Sequence, residues 1–73
     1  MFIIIELQTT NGHTANIVTT KDTKNEALST YHTILASAAI SQVDVHTAVV
    51  MDIYGNYIAM ESFDHTTNTN EEG

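Results

Sequence analysis

Residues 23–39, TKNEALSTYHTILASAA, decide the fold, because they form the one stretch whose apolar residues recur at helical spacing while everything around them alternates like strand. Thr23 followed three residues later by Glu26 is a capping box. The threonine hydroxyl can accept the Glu26 N–H, and the carboxylate can reach back to the Thr23 N–H. Asp22 adds negative charge at the positive end of the helix dipole. Ala27, Leu28, Tyr31, Ile34, Leu35 and Ala38 then fall on one stripe, and Asn25, Ser29, Thr33 and Ser37 fall on the opposite face. A helix of about 25 Å with one apolar stripe has to bury that stripe on something else, so the flanking sequence must supply a sheet.

The flanks read as two hairpins. Residues 2–8, FIIIELQ, are β-branched and apolar on both faces, which suits a central strand. Asn11-Gly12 is a strong two-residue hairpin signal, since a type I′ turn needs positive φ at both central residues. It leads to a threonine-rich strand over about 14–20, expected at an edge. The register of this hairpin stays open, because two- and three-residue loops give opposite parities. After the helix, VDVHTAVVM (43–51) is a third strand. A turn near Tyr54-Gly55 leads to a fourth, over about 56–63.

The element order is therefore ββαββ. Strands two and three are parallel, and a right-handed crossover through the helix can skip one strand between them. Placing the most apolar strand in that gap predicts an α+β two-layer sandwich with a four-stranded antiparallel sheet in the order 2-1-3-4 and the helix on one face. Residues 1–63 form one domain, and DHTTNTNEEG (64–73), which has no aliphatic residue, reads as a disordered acidic tail.

Parity assigns Val43, Val45, Thr47, Val49 and Met51 to the helix-facing side, with Ile3, Ile5, Leu7, Ile58 and Met60. A two-residue loop at Tyr54-Gly55 pairs Val49 with Met60 and Met51 with Ile58. Phe2, Ile4, His46, Ala48, Val50, Tyr57, Ala59 and Phe63 then fall on the helix-free face, beside Glu6, Asp44 and Glu61. An apolar patch of that kind marks an interaction surface. A parity slip at one turn would instead place some of these residues in the core. The patch reading gives a homodimer whose sheets pack face to face, and it also answers a size problem: a single core in a 73-residue chain rarely supplies more than about 3–5 kcal/mol.

Composition narrows the function. The chain has 9 acidic and 2 basic residues, a formal charge of −7, and no cysteine. Such a surface repels phosphate, which argues against direct nucleic-acid binding, and disulfides and thiolate metal sites are excluded. FIII is shorter than a signal-peptide core and has no basic residue ahead of it, and no segment has membrane-spanning length, so a cytoplasmic protein without membrane contact is expected.

Four histidines (His13, His32, His46, His65) invite a metal reading, but none pairs with another at i, i+4 or at i, i+2. Asp44 is the one acidic neighbour at strand spacing from His46. No metal or cofactor is expected. There is no nucleophile constellation and no phosphate-binding loop, and Gly12, Gly55 and Gly73 fall in turns or at the terminus, so no enzymatic activity is expected either.

Residues 43–65, VDVHTAVVMDIYGNYIAMESFDH, and the segment YHTILASAAIS (31–41) resemble a group of short uncharacterised proteins of bacterial genomes and mobile elements, a resemblance that brings no activity with it. The leading expectation is a small non-enzymatic interaction protein, homodimeric through the open sheet face and acting on a partner protein. Two alternatives are an acidic nucleic-acid mimic that blocks a basic enzyme and a small-ligand or metal binder around His46.

Overall fold

The computed structural model describes residues 1–65. Two hairpins flank one helix: β1 (Phe2–Thr10), β2 (His13–Lys21), α1 (Lys24–Ala39), β3 (Val45–Asp52) and β4 (Tyr57–Asp64). The four strands form one sheet in the order β2-β1-β3-β4, with β1–β2, β1–β3 and β3–β4 all antiparallel. This is the expected ββαββ two-layer sandwich.

The helix starts where its cap says it should. Thr23 sits in extended backbone as N-cap, and its Oγ1 accepts the Glu26 N–H at 3.2 Å. The carboxylate closes the box on the threonine hydroxyl (3.1 Å) rather than on its amide. Ala27, Tyr31 and Ala38 are buried, and Leu28, Ile34 and Leu35 half-buried, so the stripe read from the sequence is the stripe that packs.

Both turns follow from residues that tolerate positive φ. Asn11 (φ 54°) and Gly12 (φ 81°) form a two-residue loop that pairs Thr10 with His13, which settles the register of the first hairpin. The second turn is longer than expected. Asp52 and Asn56 close it through Asp52 N–H to Asn56 O at 3.0 Å, with Gly55 at φ 86°. Val49 pairs with Met60, as the sequence suggests, but a bulge then makes Tyr57, not Ile58, the partner of Met51.

The face assignment is reversed from the sequence reading. The core beneath the helix holds Ile4, Ala48 and Val50 with Ala27 and Tyr31, and Phe2, Ile58 and Ala59 pack against it. His46 is also buried. Phe63, paired with His46, shares this side, and Ile58 packs here rather than with Met60. Of the eight residues assigned to the free face, Tyr57 alone lies there, opposite Met51.

Apolar content could not decide the matter because both faces are apolar. Small side chains decide it: Ala48 and Ala59 on the sheet join Ala27 in and around one core, where a helix backbone can come close, whereas the other face carries Ile, Leu, Val and Met. The end of the chain also differs from expectation. Asp64 completes β4, and His65 is anchored by its N–H to Asp44 O (2.7 Å) and by Nε2 to Ala38 O (3.0 Å), at the carboxyl end of the helix. The rest of the expected acidic tail, 66–73, lies outside the described residues.

Candidate interaction surface

The pairing registers resolve the helix-free face into rows that cross the sheet from β2 to β4. One row is Val18–Ile5–Val49–Met60 and the next is Thr20–Ile3–Met51–Tyr57. On the other side of the first lie Asn16–Leu7–Thr47–Ser62 and then Thr14–Thr9–Val45–Asp64. The middle of the face is continuous hydrocarbon. Val49, flanked by Ile5 and Met60, is 7% exposed with no helix above it, while Val18 and Met60 at the two margins are each 57% exposed. Around this centre stand hydroxyls and an amide, with Thr9 and Thr14 bonded to each other at 2.8 Å.

Among the described residues, charge is nearly absent from the surface. Of the described carboxylates, Asp64 at one corner is the sole one whose strand parity puts it on this side. Glu6 and Glu61 face the helix layer, Asp22 and Glu26 flank the helix start, and Asp44 and Asp52 serve turns. A chain of net charge −7 therefore keeps an apolar, almost uncharged plane about four strands wide.

The polar residues that the sequence placed near this surface sit beneath the helix instead, in a chain of hydrogen bonds. Gln8 Nε2 donates to Glu6 Oε2 (2.9 Å), and His46 Nε2 lies 2.6 Å from the same oxygen. His46 Nδ1 is 3.3 Å from Ser41 Oγ, which also accepts the Val43 N–H at 3.4 Å. A carboxylate accepts only, so Nε2 carries the proton toward Glu6, and in the second contact either Ser41 Oγ or Nδ1 can be the donor. The His46 side chain is 4% exposed and that of Glu6 17%.

A Ser–His–Glu sequence of contacts invites comparison with a nucleophilic triad; its imidazole is 3% exposed, inside the packed layer. No cavity was found among the described residues, and no group of three or more potential metal ligands occurs among them. With both ring nitrogens engaged, a metal or ligand at His46 would have to break one of these two hydrogen bonds.

Two further ionisable groups, off this face, are shifted by their surroundings. Asp52 accepts hydrogen bonds from the side chain (3.0 Å) and backbone (2.9 Å) of Asn56 and from the Tyr54 N–H (2.9 Å), and these hold its carboxyl below the usual aspartate range. Tyr31 is pushed up from the ordinary phenol value, first by burial and second by the charge of Glu61.

These features define a class, a small α+β two-layer domain with one helix-covered and one open apolar sheet face. Comparison with family models, curated proteins and solved structures found no match to the chain. No helix among the described residues is long and apolar enough to cross a membrane.

Proposed function

We infer that this protein is a small non-enzymatic interaction module that assembles as a homodimer by packing two helix-free sheet faces together. The observation that carries this reading is the pair of rows Val18–Ile5–Val49–Met60 and Thr20–Ile3–Met51–Tyr57 in a chain of net charge −7. An acidic protein whose described carboxylates lie off one plane, save Asp64 at a corner, can bring the centres of two such planes together without opposing like charges. An apolar centre with an uncharged polar rim is also the anatomy of a protein interface.

The dimensions are adequate. Strands of 8–9 residues at ~3.3 Å per residue and four strands ~4.8 Å apart give a face of ~500 Å² in projection. Two copies bury about 1,000 Å² before surface relief is counted, the lower bound for a specific interface. Energetics favour the same arrangement. Ile4 and Val50 are the largest fully buried side chains, a slender core for a free-standing domain. The dimer leaves both helices and most of the carboxylates facing outward, where a partner protein would meet them.

Sedimentation at rising concentration tests the reading. Met60 is exposed on the face, so Met60→Glu should leave the fold of the single copy intact and dissociate the dimer. A monomer at millimolar concentration, or an unchanged mass for the variant, would refute it.

A further inference from the structure

We propose that the outer edge of β2 is a second self-association site, at which β2 of one copy pairs antiparallel with β2 of another and extends the sheet across the junction. Among the described residues β2 has β1 as its sole sheet neighbour, and the other side of its backbone presents N–H and C=O groups that no described strand pairs. Sheet proteins usually blunt such an edge with a bulge, a proline, internal charges or a covering element. β4, the opposite edge, carries two of these: the bulge at Ile58 and the carboxylates Glu61 and Asp64. β2 carries none. It runs for nine residues with one charge, Lys21, at its end, and the helix leaves its centre open: Ile17 on the helix side is 54% exposed and Val18 on the free side 57%.

Charge identifies the occupant as a second copy of this chain. None of the carboxylates lies in β2. A two-fold axis at Ile17 sets Ile17 against itself, Ala15 against Thr19, Asn16 against Val18, and Lys21 against His13 of the second copy. No two carboxylates are opposed. The same operation on β4 brings Glu61 and Asp64 of each copy onto one short stretch of strand. Ile17 meeting Ile17 on the helix side, with the two Val18 side chains as diagonal neighbours on the free side, supplies the side-chain contacts that backbone pairing alone lacks.

The edge contact is independent of the face-to-face contact, and it joins two open faces into one of eight strands. Together the two contacts close a tetramer with dihedral symmetry. Native mass separates them. The wild type should reach four chain masses, Ile17→Lys should fall to two, Met60→Glu should also fall to two, and the double variant should be monomeric. Ala15→Lys, at an exposed position on the helix side of the same edge, repeats the edge test should Ile17→Lys prove unstable. The chain has no cysteine, so Ile17→Cys introduces a unique thiol that should oxidise to a covalent dimer, with Met60→Glu also present. A wild-type dimer lost with Met60→Glu and unaffected by Ile17→Lys would overturn the edge proposal and leave the face dimer standing. A dimer lost with Ile17→Lys and indifferent to Met60→Glu would support the edge and overturn the face. Failure of Ile17→Cys to cross-link while the protein still associates would also overturn the edge site.

Discussion

Ile3 and Ile4 are chemically identical neighbours on the central strand, and the fold gives them opposite tasks. Ile4 is fully buried beneath the helix, in one cluster with Tyr31, Ala48 and Val50. Ile3 lies on the free face, half-buried between Thr20 and Met51. Cutting either to alanine removes three carbons. At Ile4 the transfer loss is about 2.4 kcal/mol at ~0.8 kcal/mol per buried carbon, and the enclosed cavity raises the cost to about 3–5 kcal/mol. At Ile3 roughly half of the transfer term is at stake in the single copy, about 1 kcal/mol, and no closed cavity forms. The rest appears when a second copy covers the face.

Urea unfolding followed by circular dichroism at two concentrations tenfold apart reads both parts. For a dimer, tenfold dilution lowers stability by about 1.4 kcal/mol, which at a slope near 1–2 kcal/mol/M moves the midpoint by about 1 M. Ile4→Ala should remove most or all of a margin of about 3–5 kcal/mol at either concentration. Ile3→Ala should stay folded and shift the concentration dependence to higher protein concentration. Equal losses at the two positions, or the larger loss at Ile3 in the dilute sample, would refute the face assignment and the function built on it.

Three other outcomes follow from the polar groups. Glu6→Ala leaves His46 Nε2 buried without its partner and should cost about 1–3 kcal/mol in chemical denaturation, whereas Glu6→Gln keeps an acceptor and should cost less; equal losses would mean that the hydrogen bond is not what matters. Because the folded state holds the Asp52 carboxyl below its usual range, stability from Asp52 is present above the ordinary aspartate pKa and lost as pH falls through and below it; Asp52→Ala should lower the melting temperature at neutral pH and show a shallower decline on acidification. The raised phenol of Tyr31 works in the other sense: its contribution is complete below the ordinary tyrosine pKa and lost as pH rises past it, so Tyr31→Phe should flatten the alkaline arm of a stability–pH curve, and an unchanged arm would assign the loss elsewhere.

What could be read from the sequence followed from local chemistry. Thr23 with Glu26 marks a helix start, and Asn11-Gly12 marks a tight turn, because each encodes a geometry within three or four residues. The strand order follows from a crossover that can skip one strand and from the apolar content of β1, which suits it to that gap. The choice of face does not, because it depends on registers that no local signal carries. Ile3 and Ile4 are equally apolar, and so are Val49 and Val50. Ala48 and Ala59 hold the clue, since the layer that takes a helix at close range is the layer with small side chains. Glu6 and His46 were separable from the free face on similar grounds: both are even-numbered on adjacent antiparallel strands, so once Gln8 is known to pair with His46 they become diagonal neighbours on one side. The bulge at Ile58 had no sequence signal, and it moved Tyr57 onto the free face and Ile58 toward the core.

The reversal of faces sharpens the case for association. With Phe2, Ile4, Ala48 and Val50 spent on the helix, the residues left outside are Ile3, Ile5, Leu7, Val49 and Met51, and Glu6, His46 and Glu61 leave with the first group. Had the helix covered the odd-numbered face, Glu6, His46 and Glu61 would have stood among the exposed apolar residues, and two such faces could not meet without desolvating like charges. The sheet carries Glu6, His46 and Glu61 on the same face as Ala48 and Ala59, so close helix packing and removal of these groups from the outer face are achieved by one choice. A substitution such as Val50→Glu therefore tests the core, because it buries a carboxylate under the helix and should unfold the single copy; Met60→Glu, ten residues on and across the sheet, is the one that tests assembly.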